Sequence, residues 1–161
     1  MSDAGFLEET LPHLDLVYNI ARRMSPSAHD AEDLVQETYL RALHGWRRRP
    51  PERVAPWLAT ICLNAARSEY RRRAARPPEL LGLTADAPAD DAAEQTVSRL
   101  EVARALDELP EPMREAVVLM DLCGFSAAEA ARILGCPRNT VLSRVHRAHR
   151  RLAELFEVET P

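Results

Sequence analysis

The chain has 161 residues, 46% of them apolar and 29% charged, with a formal net charge of −4, which is ordinary for a soluble globular protein of one domain or two small ones. No run of about eighteen apolar residues exists, and the opening MSDAGFLEE lacks the basic-then-apolar order of an export signal, so the expectation is a cytoplasmic protein without membrane insertion. Cys62, Cys123 and Cys136 show no paired C-x-x-C spacing, and His13, His29, His44, His146 and His149 are scattered; neither a disulfide framework nor a metal site is expected, and no cofactor.

The net charge hides an asymmetry. Residues 1–40 carry two Arg against eight acids, residues 41–76 carry ten Arg against two acids, and residues 77–98 carry five acids and no base. Nucleic-acid affinity follows local basic patches, so an arginine block inside an acidic chain is a candidate nucleic-acid surface.

In chain order, residues 3–24 place Phe6, Leu7, Leu11, Leu14, Val17, Tyr18 and Ala21 at helical spacing, a stripe expected to pack on the next helix. That helix spans 30–43, with a cap and a starter proline expected from Ser25-Pro26-Ser27 and carboxylates Asp30, Glu32 and Asp33 at its positive end. Ala31, Leu34, Val35, Thr38 and Ala42 fall on one side; Asp33, Gln36, Glu37, Leu40 and Leu43 fall roughly opposite. Acids and an amide interleaved with leucines suit the docking of a basic, partly apolar helix, and a simply solvated face is the alternative.

Arg47, Arg48, Arg49 and Arg53 surround Pro50-Pro51, which reads as a basic loop from Gly45 to Arg53. From Val54 to about Arg73 a helix is expected, with Leu58, Ile61, Cys62 and Ala65 inward and Thr60, Asn64, Arg67 and Arg71 outward, extended by Arg72 and Arg73. Cations for phosphates and amide and hydroxyl groups for base edges are what a single strand requires. Trp46 and Trp57 could stack on bases, but packing is the favoured role for both.

Residues 76–96, with prolines, small residues and acids, read as a flexible linker. Beyond it come a helix with Val97, Leu100, Val102, Ala105, Leu106 and Leu109, and another from Met113 to Leu122 ended by Gly124. Ser126-Ala-Ala-Glu129 is a capping box opening a short helix through Leu134. Gly135-Cys136 makes the turn, and Pro137 starts the last helix. Helix, glycine turn, helix is the helix-turn-helix plan. On the last helix Val141, Val145, Ala148 and Leu152 form the buried stripe, and Asn139, Thr140, Ser143, His146, Arg147 and Arg150 face away, with Arg138, Arg144 and Arg151 at the flanks. Arg suits guanine, Asn suits adenine, and flanking arginines suit phosphates, which together describe a major-groove reader. The expected fold is all-α: two small helical domains, 1–75 and 97–161, joined by the linker 76–96.

The run DAEDLVQETYLRAL, the arginine run ending at Arg73 and the pattern LPEPMREAVVLMDLCGFSAAEAARILGCPRNTVLSRVHRAHRRL, in this order, resemble the extracytoplasmic-function sigma factors of bacteria. The resemblance implies a non-enzymatic initiation factor that binds core RNA polymerase, with promoter DNA and an anti-sigma factor as further partners. It places Asp33, Gln36, Glu37, Leu40 and Arg41 against the β′ clamp helices. It places Arg47, Arg48, Arg49, Thr60, Asn64, Arg67, Arg71 and Arg72 on the melted minus-ten element. The last helix, Arg138, Asn139, Thr140, Ser143, Arg144, His146, Arg147 and Arg150, is placed on the minus-thirty-five duplex, in a segment that also meets the β flap. The family's Asn-x-x-x-Asp stands here as Asn64 and Ser68, and its Gly-Thr-Val-Lys-Ser-Arg as Asn139 to Arg144 with Leu142 in the lysine position. Without the first arginine block and the acidic helix, a stand-alone helix-turn-helix regulator would be the natural reading; no carboxylate cluster, zinc signature or phosphate loop favours an enzyme.

Overall fold

The computed structural model describes residues 3–76 and 93–158, all helices, turns and loops among them. The chain divides into two compact units, Met1–Pro88 and Ala89–Pro161.

In the first unit α1 (Asp3–Thr10), α2 (Leu14–Arg23), α3 (Ala28–Arg48) and α4 (Val54–Ala75) pack around one core, with a 3₁₀ turn at Leu11–His13 between α1 and α2. Ala31, Leu34, Thr38, Ala42 and Trp46 are the buried stripe of α3 and recur every three to four residues, the period of a helix with one inward face. They meet Val17, Ile20 and Ala21 of α2 and Leu58, Ala59, Cys62 and Leu63 of α4. Full burial of a side chain such as Leu58 or Ile20 contributes about 1.5–3 kcal/mol. The hydroxyls of Thr10 and Thr38 are wholly buried and donate to the Phe6 and Leu34 carbonyls one turn back, both at 2.7 Å, so neither is left unsatisfied.

Three expectations for this unit change. The apolar stripe of residues 3–24 is not one buried face: Leu7, Leu11, Leu14 and Tyr18 are 46%, 50%, 41% and 38% exposed. The 3₁₀ turn at Pro12 winds three residues per turn, shifting α2 out of phase with α1, so of that stripe the core keeps Phe6, Val17 and Ala21 and adds Thr10 and Ile20. The cap of α3 is Ser27, whose Oγ accepts the Asp30 N–H at 3.1 Å, and Pro26 precedes it rather than starting the helix. The basic loop is also shorter. Trp46 continues the buried stripe, packed edge-to-face on Phe6 at 5.8 Å and tilted against Trp57 at 6.5 Å, which holds α3 helical through Arg48. A Cβ at Gly45 would come within 3.3 Å of the Trp57 ring, so the close approach of α3 to α4 there uses the missing side chain.

The second unit comprises α5 (Ala93–Asp107), α6 (Glu111–Val117), α7 (Ala127–Leu134) and α8 (Arg138–Val158). Helix α5 reaches back to Ala93, inside the stretch read as linker; residues 77–92 of that stretch lie outside the described residues. Arg114 of α6 donates to the Leu106, Asp107 and Leu109 carbonyls at 2.9–3.0 Å, capping the end of α5 with a side chain from the next helix. Leu106, Leu109, Val117 and Ala148 form the core between α5, α6 and α8. The helix expected over 113–122 begins at Glu111 and finishes in a π turn, Val118–Leu122, closed by the Cys123 N–H on the Val118 carbonyl. Gly124, at φ +74°, then reverses the chain.

The capping box is present in full: Ser126 Oγ accepts the Glu129 N–H at 3.1 Å and Glu129 accepts the Ser126 N–H at 3.3 Å. Gly135 ends α7 in the left-handed region at φ +67°, where a side chain would be strained. The Pro137 carbonyl accepts the first amides of α8, from Thr140 and Val141, so Pro137 stands just before the helix. Val141, Val145 and Ala148 are buried and Leu152 partly so, as the spacing predicts.

Candidate polymerase and promoter surfaces

On α3 Asp33, Gln36 and Glu37, expected to dock a partner, face solvent, and Arg41 is half-buried. Asp33 and Gln36 are exposed, Leu40 is 65% exposed, and Glu37 is bridged to Arg41 at 2.8 Å one turn on. Asp33 lies 3.6 Å from His29. Leu43 is half-buried and adds little to this face. A groove of about 230 Å³ runs beside it, with Asp33, Glu37 and Arg41 on one wall and Glu69, Tyr70 and Arg72 of α4 on the other. At the head of α3, burial pushes the Asp30 carboxyl up, but hydrogen bonds from Ser27 and Arg73, with the charges of Arg73 and His29, outweigh it and hold the group below its usual value.

The residues expected on a single strand divide more unevenly. Arg48 and Arg49 are exposed, but Arg47 is tied to Asp3 at 2.8 Å; their hydrogen bond and mutual attraction lower the Asp3 carboxyl and raise the Arg47 guanidinium. Thr60 is half-buried and its hydroxyl donates to the Pro56 carbonyl at 2.8 Å, so its donor is turned on the backbone rather than outward. Asn64 and Arg71 are exposed, Arg67 is half-buried, and Arg72 lies 3.5 Å from Glu69. With a rise of about 1.5 Å per residue, the loop arginines before α4 and Arg71 near its end stand roughly 25 Å apart, an extended track rather than a pocket. Trp46 belongs to the core and Trp57 is half-buried against it, whereas Tyr70, 65% exposed, is the aromatic that sequence reasoning passed over. An aromatic set between polar residues next to an arginine run was its signal.

On α8, Arg138, Asn139, Ser143, His146, Arg147 and Arg150 are exposed and Thr140 is half-buried. Ser143 donates to the Asn139 carbonyl at 2.9 Å, and Arg147 Nε to the Ser143 carbonyl at 3.3 Å, which lays that guanidinium along the outer face. Arg144 is not a free flanking cation: it is half-buried, with Nη1 3.7 Å from Cys136 Sγ in the turn before α8. His149, one of the scattered histidines, contacts the Asp121 carboxylate of the π turn. Burial pushes the neighbouring Cys123 thiol up to about 11, leaving it protonated and unreactive at neutral pH.

The family model for Sigma-70 region 2 matches residues 11–76, and that for Sigma-70 region 4 matches residues 99–152. The chain belongs to the sigma-70 family. Within that family it is 38% identical over 148 residues to the ECF RNA polymerase sigma factor SigE of Mycolicibacterium smegmatis, covering 88% of this chain and 58% of the relative. It is 39% identical to the ECF RNA polymerase sigma factor EcfG of Rhodopseudomonas palustris, covering 84% and 76%. These relatives place it in the extracytoplasmic-function group, although it spans little more than half the length of the first. Among solved structures it resembles the sigma factor RpoE of Bartonella quintana, in complex with the anti-sigma factor NepR, with a TM-score of 0.82, 32% identity and 96% and 98% of the two chains covered. A sigma factor is a transcription initiation factor and not an enzyme. Among the described residues no helix is long and apolar enough to cross a membrane.

Proposed function

We propose that this sigma factor joins core RNA polymerase through the outer face of α3, captures the melted minus-ten element along α4 and reads the minus-thirty-five element as duplex with α8. The supporting observation is the order and exposure of three unlike surfaces on one chain: acids with Leu40 on α3, arginines with Asn64 on α4, and Arg, Asn and Ser on the outer face of a helix-turn-helix. An acidic, partly apolar helix fits a basic helical partner, the chemistry of a clamp-helix contact. Exposed amide and guanidinium groups along α4 suit phosphates and unpaired base edges. Duplex readout falls to Arg147, Arg150, Asn139 and Ser143, with Arg138 on phosphates.

Residues 1–75 form the polymerase and minus-ten domain, 76–96 the linker, and 97–161 the minus-thirty-five domain, which also meets the β flap. The likeness to RpoE bound to NepR supports an anti-sigma partner for this chain as well. Run-off transcription with purified core polymerase on a genomic promoter library tests the reading: transcripts sharing two spaced elements are expected, and transcription unchanged by adding the protein would overturn it.

A further inference from the structure

Arg73 ends the arginine run of α4, yet its guanidinium turns inward. Its side chain is 23% exposed, and Nη2 lies 2.6 Å from Oδ1 of Asp30, itself 17% exposed. Its Nε stands 3.4 Å from Glu69, which also meets Arg72 at 3.5 Å. Asp30 in turn accepts from Ser27 Oγ at 2.7 Å while its own amide donates to that hydroxyl at 3.1 Å. One carboxylate thus completes the cap of α3 and anchors the far end of α4. Removing one partner of such a sheltered pair leaves the other charge uncompensated, whereas exposed pairs such as Arg72 with Glu69 contribute little.

Its neighbours in sequence behave differently: Arg71 and Arg76 are exposed. The pair also lines the groove beside Asp33 and Glu37 of α3 and Tyr70 and Arg72 of α4. From this geometry we infer that Arg73 is a positioning residue rather than a DNA contact: through Asp30 it fixes α3 and α4 in one relative setting, so that the polymerase surface and the single-strand track are presented together. The inference rests on the function proposed above. It makes each residue matter on the side where it does not lie. Asp30 affects DNA opening without touching DNA, and Arg73 affects polymerase affinity from within a DNA-facing run.

The test uses the full-length protein with Arg73→Met, Asp30→Asn, both together, Arg73→Lys and, as control, Arg76→Ala. Two quantities are read: affinity for core polymerase without DNA, and permanganate reactivity of start-site thymines with holoenzyme formed at saturating sigma factor. Each single change should weaken polymerase binding about tenfold and reduce opening, with the double variant no worse than either single, as residues acting as one unit require. Arg73→Lys, which keeps the charge without the planar fork, should fall between and remain folded by circular dichroism. Arg76→Ala should match the parent.

If Arg73→Met lowers only opening and Asp30→Asn changes nothing, Arg73 is a phosphate contact and the inference fails. Additive losses in the double variant also overturn it. Failure of the underlying reading looks different: Asp33→Arg would then leave polymerase binding intact and Arg71→Ala would leave opening intact.

Discussion

Part of the arginine complement of the first unit is held in carboxylate pairs, whereas the outer-face arginines of α8 are not. Arg41, Arg47, Arg72 and Arg73 are each bridged to a carboxylate of the same unit, at 2.6–3.5 Å. On α8, Arg138, Arg147, Arg150 and Arg151 are exposed, and among the described residues none is bridged to a carboxylate. A helix of unpaired cations has only counterions to release on meeting phosphates, so its affinity for duplex is ready-made and falls steeply with salt. On α4 and the segment before it, Arg47 and Arg72 already hold carboxylates and must exchange one partner for another, while Arg48, Arg49 and Arg71 stand exposed. Exposed pairs such as Arg47 with Asp3 are worth little and exchange readily, which fits the capture of a melted strand proposed above. On the proposed function, the two units therefore differ in readiness as well as in target.

The largest effect should come from the proposed polymerase face on α3, which on that reading delivers both DNA surfaces. Asp33→Arg with Gln36→Ala is expected to abolish co-purification with core polymerase while the helical signal in circular dichroism stays at the parental level, because both side chains are exposed. Loss of helicity would remove α3 from the comparison. Next, Arg147→Ala should cost about 1–3 kcal/mol on the cognate duplex and relax preference in the upstream element, read by competition binding at fixed salt. Arg71→Ala sharpens the contrast: closed-complex binding should persist while permanganate reactivity near the start site drops. Equal weakening of duplex binding by Arg71→Ala and Arg147→Ala would erase the distinction.

The smallest effect concerns pH. The Asp30 carboxyl is held below its usual value in the folded protein, so its contribution to stability is complete above the ordinary carboxylate value of 3.8 and is lost as pH falls through the lower folded value. Urea unfolding followed from pH 6 to roughly pH 2.5 should therefore show a shallower acid limb in Asp30→Asn than in the parent; an unchanged limb would mean the pair does not hold in solution.

Local signals carried most of the fold. Ser126 and Glu129, Gly135, and the buried stripes of α3 and α8 are each specified within a few residues, so they are legible in a string of letters. What the string conceals is tertiary. Nothing near Leu7 or Leu11 tells that the core leaves them out and takes Thr10 beside Phe6, because the choice depends on the phase lost at the 3₁₀ turn and on where α3 lies. The face residues of α3 and α8 follow from period alone, but the pairing of Arg47 with Asp3, the inward turn of Arg144 and the grip of Arg73 on Asp30 join positions far apart or around a bend, and no spacing rule reports them. The exposed Tyr70 was legible as an aromatic in a polar helix and was outweighed by two tryptophans that turned out to pack together.

The π turn at Val118–Leu122 has a bearing on length variation. A turn closed by the Cys123 N–H on the Val118 carbonyl winds in one residue more than an α-helical turn would, and that surplus sets the angle at which Asp121 emerges beside His149 and the point at which Gly124 redirects the chain into α7. Because the surplus residue is taken up within that one wide turn, loss of a single residue here would restore regular winding with the phase largely kept, and would withdraw the bulge that carries Asp121 to His149. The helix-turn-helix would still be encoded letter for letter, yet without that tie between the π turn and α8. With Val118 and Leu119 fully buried, this short stretch is constrained in the residues it carries as well as in their number.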